Sequence, residues 1–509
     1  MRRPDTAIAL VVCAAWLAGC ATSAIDMAPD SPDRPWTPAT TESGAIIPGE
    51  KVAAPAATYV LPANANVANV QPPPPLDRQH AYDLAELIDI AESSNPGTRT
   101  AWNAARNVAL AEGIAVSTLL PRLTASVVTG RQIASGQPSV AGFSLGQNDM
   151  DTKGTISVAS FEWLLFDFGE RTALIEAARQ ATVISNVAFT AAHQQVIYEV
   201  SNAFFINAAA SARVSTATQS LKNAQSVGAA AEDRYRHGIG TTIEAAQARQ
   251  ATAQARLLQV QAQGAARDAY LKLISAIGIS PLTEIRIADI SGRRLVSPTY
   301  GSIDRVVQEA LARRPDVLAA YAAQKASLAN IQATQSALMP KVFVAGTAAH
   351  SDGNLNVTAI PSIGQQLPTV NLTGNRDSGT ILAGVTVPLY DGGTRLAMLK
   401  QAEVNADNAR LALIRTQNEA VRQIVLADNT LRTSLSSYDA SIALTSAAQT
   451  TFDAALAASR SGVGSITDAI LAETQLLQAR NARADAHSNA LSAAATLALA
   501  VGALGEAPR

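Results

Sequence analysis

Aromatic residues, long apolar runs and an excess of either charge are all scarce or missing in this sequence. Phe, Trp and Tyr make up 4% of the 509 residues, although 48% are hydrophobic. This is a low aromatic content for large globular cores. Alanine supplies much of the apolar content instead, and Ala-rich stretches without proline favour helices that approach one another closely. The net charge of -2 offers no basic surface, so a nucleic-acid partner is not expected.

Residue patterns that carry enzymatic or metal chemistry are missing as well. No Gly-rich phosphate loop with its lysine occurs. The stretch Gly142 to Gly146 fits the G-x-S-x-G pattern around Ser144, but it lies in a polar loop without the strand, turn and helix that this chemistry requires. We therefore predict no enzyme, no catalytic residue, no metal and no cofactor. The histidines are scattered without metal-ligand spacing: His80, His193, His237, His350 and His487.

The N-terminal residues have the pattern of a targeting signal, in which Arg2 and Arg3 precede the apolar stretch Ala7 to Trp16. The following Leu17-Ala18-Gly19-Cys20 resembles the bacterial lipobox, which implies cleavage before Cys20, its acylation and sorting to the outer membrane. An ordinary signal peptide with an incidental cysteine is the alternative. The mature chain would keep one cysteine, which excludes an intramolecular disulfide. No later run of about 18 apolar residues predicts a transmembrane helix.

Most of the remaining chain is a tandem duplication. Ala91 to Pro96 matches Ala310 to Pro315 at an offset of 219 positions, and Pro121 matches Pro340 at the same offset. After an insertion the offset becomes 224 and stays constant over a long distance, which indicates that one structural unit is duplicated in tandem. The pairs at this second offset are Asp167 with Asp391, Arg171 with Arg395, Arg236 with Arg460, Gly238 with Gly462, Gly240 with Gly464 and Glu244 with Asp468.

Each unit is predicted to contain a broken helix, two strands and two long helices. The first helical stretch, about residues 84–119 and 303–338, should break at Pro96 and Pro315. A long helix should run from Thr172 to about Ala231, and the last helix repeats apolar positions in strict sevens, as coiled coils do. The predicted strands are Arg122 to Ile133, Thr155 to Phe166, Lys341 to Ala349 and Thr380 to Leu389.

Strands of about ten residues rise roughly 33 Å, which suits a tilted transmembrane β-strand. Four such strands cannot close a barrel, because about eight is the smallest number observed and an open edge in lipid leaves backbone groups unpaired. The chain must therefore share a barrel with copies of itself. Two copies would supply eight strands and three would supply twelve, and this argument does not choose between them.

The paired units and three short motifs resemble the TolC family of outer-membrane efflux proteins over about residues 80 to 505. The motifs are VPLYDGGTR (Val387 to Arg395), RHGIGTTIEAAQAR (Arg236 to Arg249) and RSGVGSITDAILAETQLLQAR (Arg460 to Arg480). The resemblance implies a mixed α and β membrane protein: a homotrimer with a twelve-stranded outer-membrane β-barrel, continued by a long periplasmic α-helical coiled-coil barrel.

The resemblance also implies a function, that of a passive exit channel of a tripartite efflux pump for drugs, other toxic compounds or metals. Its partners would be a periplasmic adaptor protein, an inner-membrane transporter of the RND or ABC type, and outer-membrane lipid. Two alternatives stay open, namely the outer-membrane duct of type I protein secretion and a structural coiled-coil lipoprotein that forms no channel.

The same resemblance divides the chain and assigns roles to residues. Residues 1–19 would be the signal peptide, 20–80 an acylated, Pro-rich extended segment, 81–281 the first repeat, 282–302 a linker and 303–505 the second repeat. Asp468 would line the pore constriction, unless it is merely a solvated charge. Leu471 and Ser459 stand where the family often has a second aspartate and a gate tyrosine. The expected periplasmic tip and adaptor contacts are Arg236, Gly238, Gly240, Glu244, Arg460, Gly462 and Gly464, and the expected barrel junctions are Asp167, Gly169, Asp391, Gly392 and Gly393.

Overall fold

The structure is a computed structural model that describes residues 28–29, 31–33, 35–36, 38–51, 59–68, 74–136, 139–140, 143–144, 148–290, 292–293, 295, 302–353 and 377–505. The signal sequence and Cys20 lie outside the described residues, as do Gly142 and Gly146 of the G-x-S-x-G pattern. Two compact units divide the chain. One contains residues 1–77 with 280–284, and the other contains residues 78–279 with 285–509.

The smaller unit contains a two-stranded hairpin within the segment predicted to be extended. Strands β1 (Pro38–Thr40) and β2 (Ile46–Lys51) pair antiparallel. The turn between them uses Gly44 at a φ of +85°, where a Cβ would lie 2.0 Å from the carbonyl oxygen of Ala63. A side chain at this position is therefore excluded by both the backbone conformation and the available space.

The larger unit contains the two repeats, which are built from equivalent elements. In each repeat, two shorter helices precede a strand pair, and two longer helices follow it. The first repeat consists of β3 (Ala81–Tyr82), α1 (Leu84–Ser94), α2 (Pro96–Ser117), β4 (Arg122–Gly136), β5 (Ser139–Val140), β6 (Phe143–Ser144), β7 (Asn148–Phe166), α3 (Glu170–Arg236) and α4 (Thr242–Ile277). The second repeat, with the connecting strand, consists of β8 (Arg286–Ile287), α5 (Ile303–Leu311), α6 (Pro315–Ser336), β9 (Lys341–Gly353), β10 (Asp377–Thr386), α7 (Thr394–Arg460) and α8 (Ile466–Ala500).

The predicted breaks at Pro96 and Pro315 are confirmed, because each proline begins a new helix. Proline suits this position, since the first turn of a helix has no intrahelical partner for its amides. The preceding helix α1 begins at a capping box, in which Asp83 and Glu86 each accept the other's backbone amide. Local sequence therefore fixes where these helices begin.

Helices α3 and α7 each contain 67 residues and are therefore about 100 Å long. Helix α3 extends beyond its predicted range, residues 172–231, at both ends. In α8 Leu491 is buried among the positions that repeat in sevens, Ile470, Leu477, Ala484, Leu491 and Ala498, but the start of the helix buries a neighbouring line with small and even acidic members, Ile466, Ala469, Ala472, Glu473 and Leu476. Alanine contributes little to a hydrophobicity pattern, although it lets the helix backbones approach closely.

The four long strands form one antiparallel sheet in the order β10, β9, β7, β4. The central pair, β7 and β9, joins the two repeats, and β4 and β10 are the outer strands. The prediction that the last strand ends at Leu389 is wrong, because β10 ends at Thr386 where its pairing with Lys341 ends. Strand conformation depends on a paired neighbour, and within the described residues β10 has one on one side only.

Among the described helices, none is both long enough and sufficiently apolar to cross a membrane.

Candidate functional site

The turn between α3 and α4 is the first of two helix tips. Gly238 adopts a φ of +76°, a conformation that side chains disfavour. At Gly240 a Cβ would lie 2.9 Å from the amide nitrogen of Tyr235. Both Ile239 and Gly240 donate their backbone amides to the carbonyl of Arg234 at 3.0 Å. The two glycines thus allow a tight reversal that also satisfies a free carbonyl at the helix end.

The turn between α7 and α8 repeats this geometry. Gly462 has a φ of +82°, and a Cβ on Gly464 would lie 2.8 Å from the Cβ of Ala458. Val463 and Gly464 donate to the carbonyl of Ala458 at 3.1 and 3.0 Å. All four predicted tip glycines are therefore required by the fold: Gly238 and Gly462 adopt a positive φ, and Gly240 and Gly464 have no space for a Cβ. Their contact with an adaptor stays a prediction.

The two equivalent acidic residues of the tips, Glu244 and Asp468, differ in what they bind. Glu244 closes a capping box, because its carboxylate accepts the amide of Thr241 at 2.8 Å and its own amide donates to the Thr241 hydroxyl. The amide of Thr241 also lowers the pKa of Glu244. Asp468 has a side chain one methylene shorter, and at its helix start Ser465 caps Thr467 instead. Its carboxylate has no hydrogen-bond partner among the described residues.

Asp468 lies exposed at the edge of an open groove of about 780 Å³. The groove wall is made of small residues of α7, among them Ala447, Ala454 and Ala458. A free carboxylate beside a small-residue wall can attract a cation without competition from a local partner. Asp468 is therefore available to line the pore constriction, as predicted, whereas the carboxylate of Glu244 is already used to cap its helix.

A residue that the sequence analysis missed, Arg234, connects the two tips. Its guanidinium Nη1 donates to the carbonyl of Ser459 at 3.1 Å and to that of Gly464 at 3.3 Å. Ser459 itself is 1% exposed, so it packs beneath this contact. The equivalent position in the second repeat is Ala458, and this difference between the repeats was the available signal.

The two predicted tip arginines make no such connection. Arg236 is exposed and pairs with Asp233 on its own helix. Arg460 is exposed and has no ion-pair partner among the described residues. Surface ion pairs contribute little to stability, so neither arginine has an evident structural function. Both side chains are exposed at the surface, where they can make contacts outside the chain.

A second missed residue, Glu473, is buried where α8 packs on α3. Its carboxylate accepts a hydrogen bond from Asn223 at 3.4 Å, and it contacts a cavity of about 410 Å³ lined partly by Gln247, Gln250 and Gln254. Burial raises the pKa of Glu473, although hydrogen bonds from Ser220 and Asn223 oppose that shift. An acidic residue inside a coiled-coil seam was not predictable from its hydrophobic spacing.

The junction between β7 and α3 is held by Asp167. One carboxylate oxygen accepts the amide of Gly169 at 3.2 Å, and the other accepts the amide and the Nε of Arg171 at 3.1 and 2.7 Å. Burial opposes ionisation here, but the hydrogen bonds and charge of Arg171 outweigh it and lower the pKa of Asp167. Arg171 also donates to the carbonyl of Thr118 at 2.8 Å, which ties the junction to the end of α2.

The junction before α7 repeats the arrangement with fewer contacts. Asp391 accepts the amides of Gly393 and Arg395, both at 3.2 Å. Gly392 and Gly393 adopt φ values of +70° and +87°. In the first repeat Phe168 stands at the position of Gly392 and still adopts a φ of +54°, with its ring against that of Phe166. The structure thus brings the predicted junction residues together in both repeats.

Within the described residues, no group of three or more His, Cys, Asp or Glu side chains could hold a metal ion.

Comparison with known proteins identifies the family. The model of the outer membrane efflux protein family matches residues 87–279 and 306–503. Protein CyaE of Bordetella pertussis is 27% identical over 438 residues, which cover 85% of this chain and 86% of CyaE. Outer membrane protein OprJ of Pseudomonas aeruginosa is 26% identical, and the alignment covers 69% and 70% of the two chains.

Solved structures agree on the fold. The Campylobacter jejuni CmeC outer membrane channel superposes with a TM-score of 0.69 at 17% identity, over 82% of this chain and 85% of that one. The two matched segments of the family model coincide with the two structural repeats and carry both helix tips and both junctions. The chain is therefore a transport protein and not an enzyme, and it belongs to the outer membrane efflux protein family.

Proposed function

We propose that the chain is one subunit of a homotrimeric, passive exit channel in the outer membrane that exports small molecules. The observation that carries this proposal is the four-stranded sheet, which has outer strands at both ends and passes into two pairs of long helices. In lipid such a sheet must close into a barrel with other copies, because unpaired backbone groups are too costly there. Three copies supply twelve strands.

The helices continue this barrel as a periplasmic tube. Each subunit contributes two hairpins, α3 with α4 and α7 with α8, whose long members extend about 100 Å. The tips carry exposed Arg236 and Arg460, which suit contacts with a periplasmic adaptor protein. An inner-membrane transporter of the RND or ABC type would supply the energy.

The tips also form the constriction. Threefold symmetry would bring three Asp468 carboxylates together, which attracts cations and repels anions. Arg234 would hold the constriction closed, because it fixes the two hairpins of one subunit to each other. Movement of one hairpin relative to the other must break this contact.

A small-molecule cargo is supported by one further relative. The pyoverdine export outer membrane protein OpmQ of Pseudomonas putida is 28% identical over 273 residues, which cover 51% of this chain and 55% of OpmQ. The cargo of that protein is stated in its name. Its similarity to this chain favours small-molecule export.

The N-terminal segment would anchor the protein. Cleavage after residue 19 and acylation of Cys20 would attach residues 20–80 to the membrane, and residues 81–281 and 303–505 would form the two repeats, joined by residues 282–302. Replacement of Cys20 by alanine should prevent incorporation of labelled palmitate. Incorporation that persists in this variant would refute acylation at Cys20.

The channel itself is tested by reconstitution. The purified protein should form trimers in detergent and conduct ions in planar bilayers, and deletion of its gene should increase the sensitivity of the cell to exported compounds. A soluble elongated dimer without conductance would refute the proposal. If the deletion leaves drug sensitivity unchanged but abolishes secretion of a protein, the function is protein export and not small-molecule export.

A further inference from the structure

A cavity of about 620 Å³ lies where α3, α7 and α8 pack together, and Ile290 of the segment after β8 also lines it. It is separate from the groove beside Asp468 and from the cavity at Glu473. Cavities of roughly 300–1,000 Å³ with apolar walls and a few polar groups are typical sites for small organic molecules. The side chains of the lining therefore indicate what kind of molecule would fit.

The lining residues that titrate near neutral pH or carry a charge there are basic. Arg480, Arg483 and His487 are spaced by three and four positions on α8, so they share one face of that helix. No aspartate or glutamate is among the lining residues in the described part of the chain. A cavity with cationic groups and no carboxylate favours an anion.

Arg483 has no counter-ion within the chain as described. It makes no hydrogen bond or ion pair with the described residues. Asp485, two positions further on, is already bound by Arg213 through hydrogen bonds of 2.9 and 2.6 Å. Arg480 differs from Arg483, because it donates to the side-chain oxygen of Gln449 at 2.6 Å. The guanidinium of Arg483 is therefore available to a ligand.

His487 is held in place at the same wall. Its Nε2 lies 3.0 Å from the backbone carbonyl of Arg293, and a carbonyl can only accept, so Nε2 carries a proton. The ring also packs against that of Tyr438, with 5.2 Å between the centroids. Its Nδ1 has no hydrogen-bond partner among the described residues, and it can donate to an anion when the ring is protonated.

The other walls of the cavity are largely apolar. Helix α3 contributes Phe205, which is buried, and the small residues Ala208 and Ala212. Helix α7 contributes Ile442, which is 38% exposed and lines the cavity. A molecule with an apolar body would cover this surface, and an acidic group on it would reach the basic wall. The lining thus suits an amphipathic anion better than an inorganic one.

The first repeat lacks this arrangement at the equivalent place. The counterpart of Arg483, 224 positions earlier, is Gln259, and the counterpart of Ile442 is Thr218. These two residues bind each other, because the amide of Gln259 donates to the hydroxyl of Thr218 at 3.0 Å. Packing of the helices therefore does not require an arginine at this position. The difference between the repeats indicates a binding function in the second one.

The cavity lies far from the membrane of the proposed channel. Tyr438 follows Thr394, the first residue of α7, by 44 positions, which is about 66 Å along the helix. A lipid that remains in the bilayer cannot extend its headgroup over this distance. The occupant must therefore be soluble in water.

We propose that this cavity binds a water-soluble, amphipathic organic anion, with its acidic group between Arg483 and His487 and its apolar part against Phe205 and Ile442. Phe205 belongs to the first helical hairpin, and the other three residues belong to the second. The bound anion therefore contacts both hairpins and stabilises their packing. Binding does not require that the protein form a channel, so the two proposals are tested separately.

Isothermal titration calorimetry of the full-length protein in detergent tests the proposal. The probe is naphthalene-2-sulfonate, its matched neutral compound is naphthalene-2-sulfonamide, and titrations into detergent alone are subtracted. The sulfonate should bind at least about tenfold more tightly than the sulfonamide, because hydrogen bonds from a guanidinium are stronger to an anionic oxygen. The sulfonate should also raise the melting temperature, since it binds the folded state.

Two variants introduce the residues that the first repeat has at the equivalent positions. Arg483→Gln and His487→Gln reproduce Gln259 and Gln263, which the same helix pairing accommodates. Arg483→Gln should weaken sulfonate binding about tenfold without changing sulfonamide binding or the melting temperature of the free protein. The control Arg256→Gln removes the same charge from an exposed position of α4 and should bind the sulfonate as the wild type does.

The outcomes separate the site from the channel. Tighter binding of the sulfonate that is lost in Arg483→Gln but kept in Arg256→Gln supports the site. Absence of sulfonate binding by the folded wild type, equal affinity for the two compounds, or an equal loss in both variants overturns it. Ion conductance is measured on the same preparations. Sulfonate binding without conductance would refute only the channel, and conductance without sulfonate binding would refute only the site.

Discussion

Replacement of Arg234 by alanine should open the channel. The Arg234 guanidinium makes two hydrogen bonds to the carbonyls of Ser459 and Gly464, which belong to the other hairpin. Alanine removes both bonds without altering the glycine turns, because the carbonyl of residue 234 that accepts Ile239 and Gly240 is a backbone group. The closed arrangement of the two tips therefore loses both of these hydrogen bonds, although the hydroxyl of Thr467 still donates to the side chain of Gln247 at 3.2 Å.

The magnitude follows from the geometry. Hydrogen bonds from a charged donor contribute about 1.5–3 kcal/mol each. At 3.1 and 3.3 Å both bonds of Arg234 are longer than ideal, and its buried Nε has no partner among the described residues. We therefore expect about 1.5–3 kcal/mol for the pair together, which is a 10- to 150-fold shift of the equilibrium towards the open tips at about 1.4 kcal/mol per factor of ten.

The assay is single-channel conductance of the trimer in planar bilayers. Arg234→Ala should increase the conductance or the fraction of time spent open, and Arg234→Lys, which keeps the charge but not the planar fork, should give an intermediate value. Arg236→Ala is the matched control, since Arg236 is exposed on the same turn and pairs only within its helix. Equal conductance of wild type, Arg234→Ala and Arg236→Ala in intact trimers would refute the role of Arg234.

Three further predictions concern the same helices. Asp468→Ala should raise conductance or weaken cation preference, because it removes a free carboxylate from the constriction, and unchanged conductance and selectivity would exclude it from the pore. Gly464→Ala should destabilise the protein by roughly 1–3 kcal/mol, because the added Cβ would clash with Ala458. The control Gly264→Ala adds a Cβ with nothing within 4 Å and should not destabilise the protein. Equal melting temperatures of the two variants would contradict this prediction. Glu473→Gln should raise the melting temperature at neutral pH but not at pH 4. The raised pKa favours the neutral carboxyl in the folded state, and the stability tied to that form is lost as the pH rises through the folded pKa. An equal gain at both pH values would contradict the assignment.

Local chemistry made much of the fold predictable. Pro96 and Pro315 begin helices because proline lacks a backbone amide, which the first helical turn does not need, and this preference can be inferred from the sequence alone. The glycines of both tips and of the second junction fall where the chain needs positive φ or close approach. The constant offset between the repeats then transfers each element of the first repeat to the second. Turns, helix starts and repeat equivalence are thus encoded within a few residues.

Features that depend on a distant neighbour were missed. The end of β10 was predicted at Leu389, but strand pairing decides where a strand ends, and β10 lacks a second neighbour within the described chain. Glu473 is buried because α8 packs on α3, which its own segment does not reveal. The contact of Arg234 with Ser459 spans 225 positions, so no local pattern could indicate it.

Comparison of the two repeats separates structural residues from functional ones at the candidate site. Asp167 and Asp391 accept the same two amides, and Gly240 and Gly464 allow the same close turn, so these pairs serve the fold in both copies. The pairs that differ lie at the tips. Arg234 corresponds to Ala458, and Glu244, which caps its helix, corresponds to Asp468, which does not. A duplicated fold needs the same helix caps and turns in both repeats. A pore, however, needs from each subunit only one contact between its two hairpins, made by Arg234, and one acidic side chain, Asp468, at the constriction. The divergent pairs are therefore where changes in gating should concentrate.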